Sequence, residues 1–204
     1  MTHTSLGFTS DLFPHGTHIC YIYKDEKERQ EVIAKFVESG LNGNELVAYF
    51  VDAMSPQEMG AHLASLGVAP APPPQPGKLV ITDAQKTYCC NGCFEPPVML
   101  GKVEELYRRS RREGYSGARA TGEMAWALRG IPGSDRLIEY ESRLNLLVEH
   151  NPITLICQYD ANRFDGATIH DVLNVHPMML VRGQVVRNPL YLPPSVSGVP
   201  MSNG

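Results

Sequence analysis

HICYIYKDEKERQEVIAKFVESG, residues 18–40, reads in one pass as strand, turn and helix. His18–Tyr23 is a short run rich in aromatic and β-branched residues, and Val32, Ile33, Phe36 and Val37 recur at helical spacing. In many α/β nucleotide-binding proteins such a unit grips phosphate. Glycines in its turn let backbone N–H groups crowd around the anion at the helix N-terminus. The turn here, Tyr23-Lys24-Asp25-Glu26-Lys27-Glu28, contains no glycine. Asp25 is placed to cap the helix, while Glu26 and Glu28 complement its positive end. A polyphosphate arriving there would meet carboxylates. The stretch predicts an α/β fold without a phosphate loop at this helix.

Outward from it, strand-like and helix-like runs alternate. Glu45–Val51 reads as a buried strand, and Ser55-Pro56-Gln57-Glu58 as a capping box opening a helix to about Leu66. The proline-rich stretch Ala69–Gly77 reads as a surface connection. Lys78–Thr82 is a third strand, Pro96–Glu113 a long helix and Ala118–Thr121 a short fourth strand. Ser134 is expected to cap a helix running to about His150. Ile153–Tyr159 is a continuous apolar strand, Ala167–Val175 a helix, and Met178–Val186 a hairpin around Arg182-Gly183. This alternation predicts a mostly parallel central sheet with helices on both faces. The domain spans residues 15–191, after an N-terminal extension (1–14) and before a flexible C-terminal tail (192–204). Ligands of such sheets bind beyond the carboxyl ends of the strands. That rule gathers Tyr23–Lys24, Asp52, Asp83–Gly92, Thr121–Glu123 and Gln158–Asp160 around one edge.

A hydrophobic content of 43% over 204 residues is enough for a real core. The net charge of −4 gives no global field favouring nucleic acid. No stretch approaches the roughly 18 apolar residues of a membrane span, and Met1–Ser10 has neither the apolar run nor the basic start of a signal peptide. Five cysteines, an odd number, argue against a disulfide framework. A soluble cytoplasmic protein is expected.

The helix Ser134–His150 carries the sharpest local anomaly. Leu137, Leu144, Leu147 and Val148 define its inner face, Glu141 falls inside that arc, and Asn145 lies on its edge. Asp135, Glu139, Ser142 and Arg143 take the other side. An inward carboxylate requires a partner. One reading is a structural pair with an arginine such as Arg119, or the capping of a loop; the other is a polar anchor in a ligand pocket. Thr121–Trp126 follows the fourth strand, where Gly122 allows close approach, Glu123 offers a carboxylate and Trp126 a flat surface. The plainer alternative makes Trp126 core and Glu123 a helix N-terminal residue. With Tyr159, these residues form a candidate ligand site: Glu123, Trp126, Glu141, Asn145 and Tyr159.

Cys89, Cys90 and Cys93 could hold zinc with a histidine completing the set, form a redox-active loop, or be ordinary thiols. Cys20 and Cys157 read as small hydrophobes in apolar strands. The seven histidines show no ligand spacing, and His176, before Pro177, is expected to end a helix. No G-x-S-x-G elbow is present, and no catalytic residue is assigned. The basic run Arg108–Arg112 reads as a solvated helix end.

The segments HICYIYKDEKERQEVIAKFVESGLNGNELVAYFVD, RATGEMAWAL, LIEYESRLN, LICQYDANRF and HPMMLVRGQVVRNPLY, in this order over roughly residues 15–191, resemble the MEDS family, named for the methanogen/methylotroph DcmR sensory domain. The resemblance implies a RecA/KaiC-like fold that has lost its phosphate loop. It further implies a non-catalytic sensor of small molecules, with hydrocarbon or one-carbon derivatives as the ligand class. The signalling partner would be a separate protein such as a histidine kinase or transcription regulator, and homo-oligomers fit the fold. The resemblance supplies no set of binding residues, and the cysteine trio stands outside its pattern. Two other readings stay open: a metal or redox sensor built on the three cysteines, and a residual nucleotide hydrolase using Glu123 as base. No cofactor is expected beyond zinc at the cysteines.

Overall fold

The computed structural model describes residues 3–68 and 77–193. Residues 69–76, most of the proline-rich connection, lie outside the described residues, as does the tail from residue 194. Chain order gives β1 (His3–Ser5), β2 (Leu12–Pro14), β3 (His18–Tyr23), α1 (Glu26–Asn42), β4 (Glu45–Val51), α2 (Pro56–Ser65), β5 (Leu79–Asp83) and α3 (Ala84–Tyr88). It continues with α4 (Pro96–Arg112), β6 (Gly117–Glu123), α5 (Leu137–His150), β7 (Ile153–Asp160), α6 (Gly166–Val175), β8 (Met178–Val181) and β9 (Gln184–Arg187).

The main sheet has the order β5-β4-β6-β7-β3-β8-β9, parallel throughout except for β9, which returns antiparallel from β8. The mostly parallel sheet and the helices on both faces agree with the expected architecture. Because side chains alternate along a strand, each interior strand feeds two cores. Ile19, Tyr21, Val47, Tyr49 and Ile156 face α1 and α2, where Ile33, Phe36, Val37, Met59 and Leu63 cover them. Cys20, Ala48, Ala118, Ala120, Leu155 and Cys157 face α4, α5 and α6. β1 and β2 pair with each other, and Leu6 between them is wholly buried in the α1-side core.

Local chemistry accounts for the helix starts. Asp25, Ser55, Asp83 and Asp165 cap α1, α2, α3 and α6 through their side chains, and Ser55 with Glu58 completes the capping box. Ser134 does not act as expected. Residues Ser134–Arg136 form a single 3₁₀ turn without a side-chain cap, and the α-helix begins at Leu137. The chain enters this turn through Gly133 at φ 84°, where an added Cβ would lie 2.2 Å from the Phe94 carbonyl oxygen. The fourth strand is longer than the expected Ala118–Thr121, reaching Glu123 because both of its neighbours extend alongside it.

Candidate functional site

The carboxyl ends of β4, β6, β7 and β3 meet under one side chain. Arg29, one turn into α1, is wholly buried and reaches across them. Its Nη1 donates to the Tyr49 hydroxyl (2.9 Å), Glu123 Oε1 (2.9 Å) and Gln158 Oε1 (2.7 Å). Its Nε donates to Glu26 Oε2 at 2.8 Å, and Nη2 is paired with the same carboxylate. Burial works against the charged guanidinium, but Glu26, then Tyr49 and Glu123, outweigh it and raise the Arg29 pKa. Glu123 Oε1 also accepts from the Tyr49 hydroxyl at 2.7 Å, and its Oε2 accepts from the backbone N–H groups of Asp52 and Ala53, each at 2.7 Å. Burial and then the Glu123 charge push the Tyr49 phenol well above its ordinary value. Gln158 Nε2 donates onward to Thr121 Oγ1 at 2.7 Å. Register makes the hub: Glu123 stands opposite Gln158, and Tyr49 opposite Thr121.

Beside this hub a cavity of about 530 Å³ opens at the ends of β3 and β8. Tyr21, Tyr23 and Leu180 give it an apolar wall, with Lys24, Glu28 and Arg182 among its charged lining. The Tyr21 hydroxyl is buried and finds no hydrogen-bond partner among the described residues. Burial, then the Glu28 charge, push its pKa up to about 12, so it remains a donor at neutral pH. A groove of about 840 Å³ runs along the opposite edge strand, β5, between Pro56, Lys86, Leu106 and Arg109. It does not include the Arg29 hub, so the smaller cavity is the better placed of the two.

On the other face of the sheet, β3, α5, β7 and the end of α6 bring together a second polar cluster. His18 Nε2 lies 3.2 Å from Glu141 Oε2, and His176 Nε2 lies 3.4 Å from the same oxygen without hydrogen-bond alignment. The two imidazole centroids are 4.2 Å apart. Cys157 Sγ is 3.4 Å from Glu141 Oε2 and 3.5 Å from His18 Nε2. The Tyr159 hydroxyl donates to Glu141 Oε1 at 2.7 Å. Burial alone would raise the Glu141 pKa, but His176 and His18 outweigh it and hold the carboxyl well below its ordinary range. Burial, then Glu141, raises the Cys157 thiol, and burial, then His18, lowers His176.

The structure divides the five candidate ligand residues. Glu141, Asn145 and Tyr159 come together in the second cluster, and Glu123 belongs to the Arg29 hub across the sheet. Trp126 joins neither. It is fully buried and stacks on Tyr88 (4.8 Å, 22°) beside Phe94, so it presents no open face. The space at Gly122 is taken by the Tyr88 hydroxyl, 2.5 Å from where a Cβ would stand. Arg119 does not pair with Glu141, because it sits on the opposite face of β6, bound to Glu45, the Phe36 carbonyl and Thr4. Ser142, expected on the outer side of α5, is buried. The cysteine loop turns through Asn91 and Gly92 at φ 59° and 81°. Cys89 is buried there, its thiol pushed up to about 11 by burial and then Cys90, while Cys90 Sγ accepts from Lys102 Nζ at 2.6 Å.

Sequence reading missed Arg29, Tyr21, His18, His176 and the role of Cys157. Arg29 had a signal: it precedes Ile33 and Phe36 by four and seven residues, on the same helical stripe. His18 alternates with Cys20 on one strand face, the pattern that aims it at α5. His176 had no local signal.

Similarity to known proteins agrees with this architecture. The structure is similar to the KaiC-like protein PH0186 of Pyrococcus horikoshii OT3 (TM-score 0.60, 18% identity, 82% of this chain and 72% of that one). It is also similar to the flagellar accessory protein FlaH of Methanocaldococcus jannaschii (TM-score 0.59, 14% identity, 85% and 76%). The RecA/KaiC-like fold is therefore shown, and these likenesses show the fold alone. In sequence, the transcriptional repressor DcmR of Methylorubrum extorquens (strain DSM 6343 / CIP 106787 / DM4) is 29% identical over 166 residues. That match covers 78% of this chain, which spans 57% of the repressor's length. Among the described residues no helix is long and apolar enough to cross a membrane. The model of the methanogen/methylotroph DcmR sensory domain matches residues 17–177, and the chain belongs to this family, MEDS.

Proposed function

We propose that this chain is a non-catalytic, ligand-responsive regulatory module, and that its ligand is a small hydrocarbon or one-carbon derivative bound in the cavity at the ends of β3 and β8. The observation that carries the reading is the Tyr21 hydroxyl, a buried donor on the cavity wall without a partner. Such a group costs free energy until an acceptor answers it. The cavity volume, about 530 Å³, lies within the range of roughly 300–1,000 Å³ usual for small-molecule sites. Tyr23 and Leu180 supply the apolar wall that a hydrocarbon derivative needs. Ligand contact with the Lys24–Glu28 turn would bias the start of α1, and through Arg29 the hub at Glu123. A separate partner, a histidine kinase or a transcription regulator, would read that bias. The sensory family and the repressor among the relatives support a regulatory role. A binding role is also supported over hydrolysis by Glu123. As the residue considered for a base, it already accepts four hydrogen bonds.

Isothermal calorimetry with a panel of small alcohols, halomethanes and short-chain hydrocarbon derivatives tests the reading. Saturable heat is expected for at least one compound. Tyr21→Phe should weaken that affinity by about fivefold, the worth of one neutral hydrogen bond of roughly 1 kcal/mol. Absence of binding across the panel, or an affinity indifferent to Tyr21→Phe, would remove the assignment.

A further inference from the structure

We propose that His18, His176, Cys157 and Glu141 form a tetrahedral binding site for a divalent transition-metal ion, with zinc the best fit. The donor atoms of these four buried residues all lie within 4.8 Å of one another. Zinc binds imidazole nitrogen, thiolate sulfur and carboxylate oxygen at about 2.0–2.3 Å, so the edges of a tetrahedral set measure about 3.3–3.7 Å. Four of the six separations are 3.2 Å (His18 to Glu141), 3.4 Å (His176 to Glu141), 3.4 Å (Cys157 to Glu141) and 3.5 Å (Cys157 to His18), and the other two, from His176 to His18 and to Cys157, lie within 4.8 Å. Three of these pairs are within hydrogen-bonding distance, and an edge of a metal site has the same length.

The atoms facing away from the centre are pinned as metal ligands require. Asn145 Nδ2 donates to the Val175 and Ser142 carbonyls, so its oxygen faces His18 and accepts from Nδ1 at 2.9 Å. The His176 Nδ1 donates to the Val172 carbonyl at 2.7 Å. With Nδ1 held as the outward donor, it is Nε2 of each ring that faces the centre and that would bind an ion through its lone pair. Tyr159 holds Glu141 Oε1, leaving Oε2 for the centre. Without an ion, protons bridge these atoms, the Cys157 thiol donating to Glu141 Oε2, and a metal would take their place. Two nitrogens, one sulfur and one oxygen in a tetrahedron suit a borderline ion such as Zn²⁺ rather than a hard one. All four positions come from the protein, and all four residues are buried. The site is therefore a closed one that loads as the chain folds, with the Cys157 proton released to solvent and the thiolate bonded to the ion.

The experiment uses the full chain. Metal analysis after exhaustive dialysis should find stoichiometric zinc. Refolding the chelator-stripped protein with Co²⁺ should give the intense visible bands of tetrahedral cobalt and a near-ultraviolet thiolate charge-transfer band. Cys157→Ser should abolish the thiolate band, while a variant with serine at Cys89, Cys90 and Cys93 together keeps it. Asn145→Ala should weaken metal affinity by about 10–100-fold with the tetrahedral spectrum retained. Circular dichroism establishes that each variant folds, and the wild-type measurements decide the matter if one does not. No stoichiometric metal, a pale octahedral cobalt spectrum, or a thiolate band lost with the loop cysteines and kept in Cys157→Ser would each overturn the proposal.

Discussion

Arg29 and Glu123 show what a buried charge asks of its neighbours. Each would be costly alone, and each is answered at every polar atom the other elements can reach. Glu123→Gln keeps the shape but removes the charge, and its amide nitrogen would face either the backbone N–H groups of Asp52 and Ala53 or the Arg29 guanidinium. Urea unfolding should show a loss of about 3–5 kcal/mol with an unchanged slope; a loss within experimental error would mean that the hub contributes nothing to stability. Arg29→Met combined with Glu123→Gln should cost less than the sum of the two, since the first change already leaves the carboxylate unpaired. At this scale the sequence was informative about need and silent about supply. Glu141 in an apolar arc announced that a partner must exist. Which partner depended on strand faces: Arg119 points to the α1 side, while His18 and Cys157 point to the α5 side. Trp126 illustrates the reverse error, because a lone tryptophan near a strand end looks like a binding surface until Tyr88 and Phe94 are seen to cover it.

The helix starts were readable because a cap is a local bargain between a side chain and N–H groups three residues on. The Ser55–Glu58 box is complete, and hydrogen bonds from the Ser55 hydroxyl and backbone hold the Glu58 carboxyl below its ordinary value. Ser55→Ala should cost about 1 kcal/mol at neutral pH, a fall of about 2–4 °C in melting temperature. A carboxyl with a depressed pKa adds stability that is present above its unfolded value, here 4.5, and is lost as pH falls through the lower folded value. The gap in thermal unfolding between the two proteins should therefore narrow in acid without closing, since the Ser55 hydroxyl still accepts from the Glu58 N–H; a gap that stays constant or widens there would contradict the linkage. Where elements were misjudged, the cause lay outside the element. Ser134 had the composition of a cap, but the turn at Gly133 is set by the Phe94 carbonyl beside it. Strand β6 reads GARATGE, poor in β-branched residues, and is a strand because β4 and β7 flank it on both sides.

Across the whole molecule the alternation of strands and helices was legible because parallel sheets need a crossover after each strand. The order of the strands was not, since nothing in residues 117–123 states that they will lie between β4 and β7. Stability should follow that order. Native-state hydrogen exchange is expected to be slowest in β4, β6 and β7, which have partners on both sides, and fastest in the exposed edge strand β9. Uniform protection across the sheet would show that the edges are held as firmly as the centre. The cluster around Glu141 adds a constraint in time rather than in space. His18 belongs to the first strand of the main sheet and His176 follows the last helix. The chain as far as β7 contains His18, Glu141, Cys157 and Tyr159 but not His176. The fourth donor of the cluster is therefore supplied only by the residue that follows α6. A chain stopped short of that residue would keep Glu141 with His18, Cys157 and Tyr159 but with one of its two imidazoles missing.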